Sequence, residues 1–315
     1  MIELEIQTKT LKYFPVVEGT IQWVTERKGQ PAKLTFSVVK DEIINFQEGD
    51  MVNFVVDGYN VFKGFVFTKN RDKNGIIKVT AYDQLRYLKN KFTYAYENKT
   101  ASEVIQTLCK YFGINTGQIE ETPWVIARKI EQDKSLIDMM LNALDLTLQN
   151  SKKLYILFDQ FGELTLRDAE AMKCDLLIDQ QRAENFQYQS SIDNETYNLV
   201  VLRNKDNGKK IIASDNNNIE KWGLLQYFDQ FDTDDVNVQS KADALLKLYN
   251  QKRRSLKISK AFGDPRVRAG YHVPIDVHLG DIVAKNYMLV ERATHSFSQD
   301  VHTMDLTLSG GGIHA

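Results

Sequence analysis

The chain has 315 residues, 43% of them hydrophobic and 26% charged, and a formal net charge of −2. These values fit a globular protein with room for two or three packed domains, and they argue against a chain built to grip nucleic acid, which needs a concentrated basic footprint. No stretch approaches the roughly 18 apolar residues of a membrane span, so membrane insertion is not expected.

The first residues, MIELEIQTKTLKYF, alternate apolar and polar from the start and read as a strand, without the basic and apolar regions of a signal peptide. Residues 1–90 continue as an all-β unit, with runs such as KLTFSVV (33–39) and MVNFVV (51–56). Asp57-Gly58 and Asn74-Gly75 predict two-residue hairpin turns, because both central positions of a type I′ turn need positive φ.

The pattern then changes to helical spacing. Thr100-Ala101-Ser102-Glu103 is a capping box, followed by Val104, Ile105, Leu108 and Phe112 on one face, with Gly113 as the stop. A second helix is predicted from Ser135 with Leu136, Ile137, Met140, Leu141, Leu144 and Leu148 on its apolar side. A hairpin, LYILF with ELTLR, turns around Asp159–Gly162.

Strand signals return near Phe186, with Asn207-Gly208 as a turn between LVVL and KIIA. A third helix is predicted from a box at Ser240–Asp243 to about Arg254, within an inserted segment 237–255. The basic run Lys252, Arg253, Arg254, Lys257 and Lys260 reads as its solvated end, and sequence-specific DNA binding is not expected. Strands then run to Leu308, and Gly310-Gly311-Gly312 opens a mobile tail.

Gly49-Asp50-Met51-Val52 has a counterpart in Gly280-Asp281-Ile282-Val283, each followed by a strand pair. The fold class expected is therefore α+β: two related small β-barrels flanking and interleaved with a small α/β segment. The first barrel spans 1–90, the α+β segment 91–184, the second barrel 185–309 with the inserted helix, and the tail 310–315.

Catalytic constellations are missing from the sequence: there is no GxSxG, Walker loop, HExxH or dinucleotide fingerprint. Cys109 and Cys174 form no CxxC pair and read as free thiols. Of the five histidines, His295 and His302 can face each other across a hairpin, yet ordinary strand histidines are the simpler reading than a zinc site. The acidic group Asp229, Asp232, Asp234 and Asp235 lacks calcium-loop spacing and reads as a solvated loop. No enzyme, cofactor or metal is expected. The aromatic clusters read first as core and otherwise as protein–protein contact: Tyr94, Tyr96, Trp222, Tyr227, Phe228 and Phe231 are the candidates for contact, with KWGLLQYFDQFD (221–232) as an irregular docking segment.

Collinear stretches carry a resemblance over nearly the whole chain: VTAYDQLRYLKNK (79–91), YENKTASEVIQTLCKYFGI (96–114), LYILFDQFGELTLRD (154–168), SSIDNETYNLVVLRNKDNGKK (190–210), KWGLLQYF (221–228), GDPRVRAGYHV (263–273), LGDIVAKNYMLVERATHSF (279–297) and HTMDLTL (302–308). They resemble the XkdQ family of PBSX-like prophages, which is similar to phage late-control protein D and myophage baseplate hubs. The resemblance implies a structural hub of a contractile phage tail or tail-like particle: a homotrimeric ring joining tail tube to central spike. Implied partners are the tube protein, the spike, a LysM-containing tail protein and baseplate wedge proteins, with DNA passing the lumen unread. The implied location is the virion or tail-like particle, assembled in the bacterial host cytoplasm. The alternative is a tail-associated cell-wall hydrolase or carbohydrate-binding component.

Overall fold

The computed structural model describes all residues except 194, 232–237, 280–281, 299–300, 311–312 and 315. It divides into two compact units: Met1–Leu148 with Lys153–Gln187 and Leu256–Ala315, and Gln149–Lys152 with Tyr188–Ser255.

The larger unit begins with seven strands: β1 (Ile2–Gln7), β2 (Lys12–Tyr13), β3 (Val17–Glu26), β4 (Lys33–Val39), β5 (Met51–Val56), β6 (Tyr59–Arg71) and β7 (Ile76–Tyr82). Alternation sorts their side chains, so Leu34, Phe36 and Val38 of β4 and Val52, Phe54 and Val56 of β5 all point into one core. Asp57 and Gly58 both adopt positive φ (49° and 80°) between the paired residues Val56 and Tyr59, the backbone that a two-residue turn requires. The expected turn at Asn74-Gly75 is different: only Gly75 has positive φ, and the Asp72 carboxylate organises a longer loop by accepting from Asn74 N and Ile76 N, both at 2.9 Å.

Next come β8 (Lys91–Thr100), α1 (Ala101–Phe112), β9 (Thr116–Ile119), β10 (Val125–Ser135), α2 (Leu136–Ser151), β11 (Tyr155–Asp159) and β12 (Leu164–Asp168). The α1 capping box is complete: Glu103 N donates to Thr100 Oγ1 (3.3 Å), Thr100 N donates to Glu103 Oε2 (2.7 Å), and Gly113 closes the helix in the left-handed region. Val104, Ile105 and Leu108 pack with Leu136, Ile137, Met140 and Leu144 of α2, Tyr96 of β8 and Leu157, Leu164 and Leu166 of the β11–β12 hairpin. This is a second, separate core.

The remaining strands are β13 (Ile178–Asp179), β14 (Asn185–Ser191), β15 (Leu199–Asn204), β16 (Lys210–Ser214), β17 (Gln226–Phe231), β18 (Arg253–Phe262), β19 (His272–Leu279), β20 (Ile282–Ser298), β21 (Val301–Ser309) and β22 (Ile313–His314), with helices α3 (Asn216–Trp222) and α4 (Val238–Tyr249). The C-terminal strands return to the N-terminal ones: β20 pairs antiparallel with β3 from Arg292↔Glu26 to Phe297↔Ile21. The result is one sheet, ordered β14-β18-β21-β20-β3-β4-β7-β6-β5-β1-β2. That path is open, and no closed barrel forms among the described residues, so the expected pair of barrels is corrected to a continuous sheet. The second Gly-Asp motif, at 280–281, lies outside the described residues.

Residues 188–255, expected within the second barrel, group apart from it. Their sheet has β15 at the centre, antiparallel to β16 and parallel to β17, with α4 packed on one face through Ala242 and Leu245. Helix α4 starts two residues before the expected box at Ser240 and ends at Tyr249. The basic run after it is strand, not helix end: in β18 Leu256, Ile258 and Ala261 are buried while Lys257 and Lys260 face out.

Candidate functional site

The candidate interaction residues separate by environment. On β8, Phe92, Tyr94 and Tyr96 share the inward face; Tyr94 and Tyr96 stack with centroids 5.4 Å apart, and Tyr96 is buried. Burial and the neighbouring Glu131 carboxylate push the Tyr96 phenol up from its ordinary pKa. These two tyrosines belong to the chain's own core.

Of the segment 221–232, residues 221–231 are described, and they are mostly regular. Trp222 ends α3, where Gly223 takes a φ of 78°; buried Asn198 then clamps the turn, donating to Gly223 O (2.7 Å) and accepting from Leu225 N (2.9 Å). The chain is thereby delivered into β17, where Tyr227, Asp229 and Phe231 face α4 and Gln226, Phe228 and Gln230 face away. Phe231 is buried, Tyr227 packs against Tyr197 and Tyr249 at 5.5 Å, and Trp222 is half-buried. Phe228 is exposed, at 48%. Register aligns it with Val201 and Ile212, so Ile212–Val201–Phe228 is an apolar row across the sheet face opposite α4. Ile212 is 53% exposed and Leu224, just before β17, 61%. Leu224 lies within the segment 221–232 singled out in the sequence, whereas Ile212, not being aromatic, is not among the candidates. The acidic group retains only Asp229, 4.0 Å from Lys241, among the described residues.

In the larger unit Val39 N donates to Val16 O at 3.1 Å. Phe14, Val16, Val39 and Ile43 are each exposed.

A polar cluster is buried between the first β region and the β11–β12 hairpin. Asp83 accepts from Ala32 N and Leu85 N, both at 3.0 Å, and Asp159 accepts from Gln84 Nε2 (2.8 Å) and Gly162 N (2.8 Å). Burial, then the nearby Asp159 carboxylate, pushes Asp83 well above the usual carboxylate range; burial raises Asp159 too. Arg268 donates to Asp159 O (2.7 Å) and lies 4.4 Å over Phe158, its cationic form disfavoured by burial. These bonds tie loop ends together; they leave no carboxylate poised at an open surface.

The two facing histidines are in contact. His295 Nδ1 and His302 Nε2 are 2.9 Å apart, and His295 Nε2 is 2.8 Å from Val267 O. A carbonyl only accepts, so His295 carries its proton on Nε2, and its Nδ1 must accept from His302 Nε2–H. The bond uses up the lone pair by which His295 could bind a metal. Among the described residues no group of three His, Cys, Asp or Glu side chains could hold a metal, both cysteines are free and buried, and no helix is long and apolar enough to cross a membrane.

Comparison with known proteins completes the picture. Residues 21–309 match the family described as YQBQ-like. The chain is 30% identical over 317 residues to the uncharacterized protein YqbQ of Bacillus subtilis (strain 168), covering 97% of this chain and 96% of that one. It is 29% identical, with the same coverage, to the phage-like element PBSX protein XkdQ of the same organism. Among solved structures it is similar to the 43 kDa tail protein of prophage MuSo2 from Shewanella oneidensis, with a TM-score of 0.71 at 14% identity over 97% of this chain and 98% of that one.

Proposed function

Because this chain belongs to the YQBQ-like family, we propose that it is a structural protein of a contractile phage tail or phage tail-like particle, the hub that joins tail tube to central spike. The observation that carries this reading is end-to-end likeness: the PBSX protein XkdQ aligns over 97% of the chain. The fold shared with a prophage tail protein supports it. So does the distribution of sticky surface. Large apolar side chains stand exposed on both units, as at Phe14, Val16 and Ile43 and at Ile212 and Phe228, where neighbouring subunits can bury them. Strands β16 and β17 end their sheet and offer unpaired N–H and C=O groups to another chain.

In this reading the protein is a homotrimer. The first and last β regions act as two related units per subunit, so that three copies present a pseudo-sixfold ring to a sixfold tube. Its partners are the tube protein, spike, LysM-containing tail protein and wedge proteins, and its place is the baseplate of a particle assembled in the bacterial cytoplasm. In this reading it works without catalysis: the buried Asp83, Asp159 and His295, whose pKa values burial shifts, are held in hydrogen bonds within the fold. Mass measurement of the purified chain, alone and mixed with its tube and spike proteins, tests the reading. A trimer that co-assembles is expected; a chain that stays monomeric with both partners present overturns it.

A further inference from the structure

We propose that the His295–His302 pair is a proton-operated latch on the β3–β20 seam, holding it shut while both rings are neutral and releasing it in mild acid. His295 is fully buried, lies opposite Trp23 in the strand register with rings 5.0 Å apart, and anchors the 263–271 loop through Val267 O. His302, across the hairpin, stacks on Phe297 at 4.0 Å, and Gly263 lies so close above it that a Cβ there would sit 2.2 Å from the ring. The pair therefore touches β3, β20, β21 and the loop at once.

The proton count gives the latch its cooperativity. His302 can take one proton on Nδ1 and still donate to His295. A second proton, on His295 Nδ1, sets N–H against N–H, and the contact must part. The charged groups facing the pair are few. Asp264 lies beside His302 from the loop, but Arg266 holds its carboxylate at 2.8 Å. Asp57 reaches from the β5–β6 turn, but is engaged by the Met1 amine. Arg268 stands 6.0 Å over the Trp23 ring and opposes any new cation. Burial dominates, holding His295 at about 3 and His302 at about 4 in the closed state. In the open state both return to the ordinary value near 6.5. Depressed histidines favour the closed form above that value and lose their contribution as pH falls below it. With two protons taken up on opening, the open population should rise up to about 100-fold per pH unit between roughly pH 6 and 4.

Hydrogen–deuterium exchange on the full chain, corrected for the intrinsic pH dependence of exchange, reads this directly at 21–26 and 292–297, with α1 as reference. A two-proton slope is expected at the seam only, falling to at most about 10-fold per unit in His302→Gln, whose amide still donates to His295. An equal slope in that variant, a flat wild-type profile, or the same rise in α1 would overturn the latch. Should the variant not fold, imidazole nitrogen NMR on the native chain decides: both rings must stay neutral down to pH 5.5, with His295 protonated on Nε2. Titration of either ring near its ordinary value in the folded chain defeats the proposal.

Discussion

Trp23 and His295 are register partners across the β3–β20 ladder, their rings 5.0 Å apart and tilted by 35°. They sit where the first and last β regions become one sheet, and Trp23 is among the largest fully enclosed side chains of the protein. Around them, Phe54 and Phe297 meet edge to face at 5.0 Å, so one aromatic row serves both regions.

Trp23→Ala should therefore cost about 3–5 kcal/mol of unfolding free energy, the range for emptying a large aromatic site in a packed core. Urea denaturation followed by circular dichroism measures it. Trp23→Phe keeps a ring against His295 and should lose much less. A Trp23→Ala midpoint matching the parent would mean the seam adds little to stability.

What could be read in the sequence was what local chemistry dictates. The Thr100 box, the Asp57-Gly58 turn and the β11–β12 hairpin are specified within a few residues, and each forms as expected. The seam is specified by pairing between strands far apart in the chain, and neither strand carries a mark that names its partner. Helix α3 escaped notice because NNNIEKW buries none of its residues and so shows no apolar stripe. Strand β17 was hidden by Asp229, a polar residue on its inner face that breaks the alternation. Aromatic character alone leaves core and contact open, and Tyr96 and Phe231 fall to the core.

The seam also has an ionic end. Arg27 Nε and Nη2 donate to the two Glu291 carboxylate oxygens at 2.7 and 3.1 Å, and Arg27 N donates to Glu291 O. Burial would raise the Glu291 pKa, but the bonds from Arg27 and Ser309 outweigh it and hold the carboxyl below its usual range. Its stabilising contribution is thus complete above the ordinary value of 4.5 and is lost as pH falls below it. Arg27→Met strands the carboxylate and should cost about 3–5 kcal/mol at pH 7. Unfolding curves at pH 7 and pH 3.5 should show the variant's deficit shrinking in acid. A deficit that grows there would contradict the sign.

The row Ile212–Val201–Phe228 makes a separable prediction. Ile212→Ser with Phe228→Ser changes two exposed positions, and each should shift stability by no more than about 0.5 kcal/mol. Co-assembly with tube or spike protein, read by size-exclusion chromatography with light scattering, should fall at least tenfold. Undiminished assembly would remove this face from the interface.

The seam pairing also sets a clock on synthesis. Arg27 and Glu291 are separated by 264 positions, and at roughly 5–20 residues per second a ribosome needs about 13–50 s to travel between them. For that interval β3 lacks its β20 neighbour and presents the kind of unpaired border on which nascent chains misassociate. A truncated chain never acquires that neighbour, so the same ladder that unites the ends of the protein also distinguishes finished copies from interrupted ones.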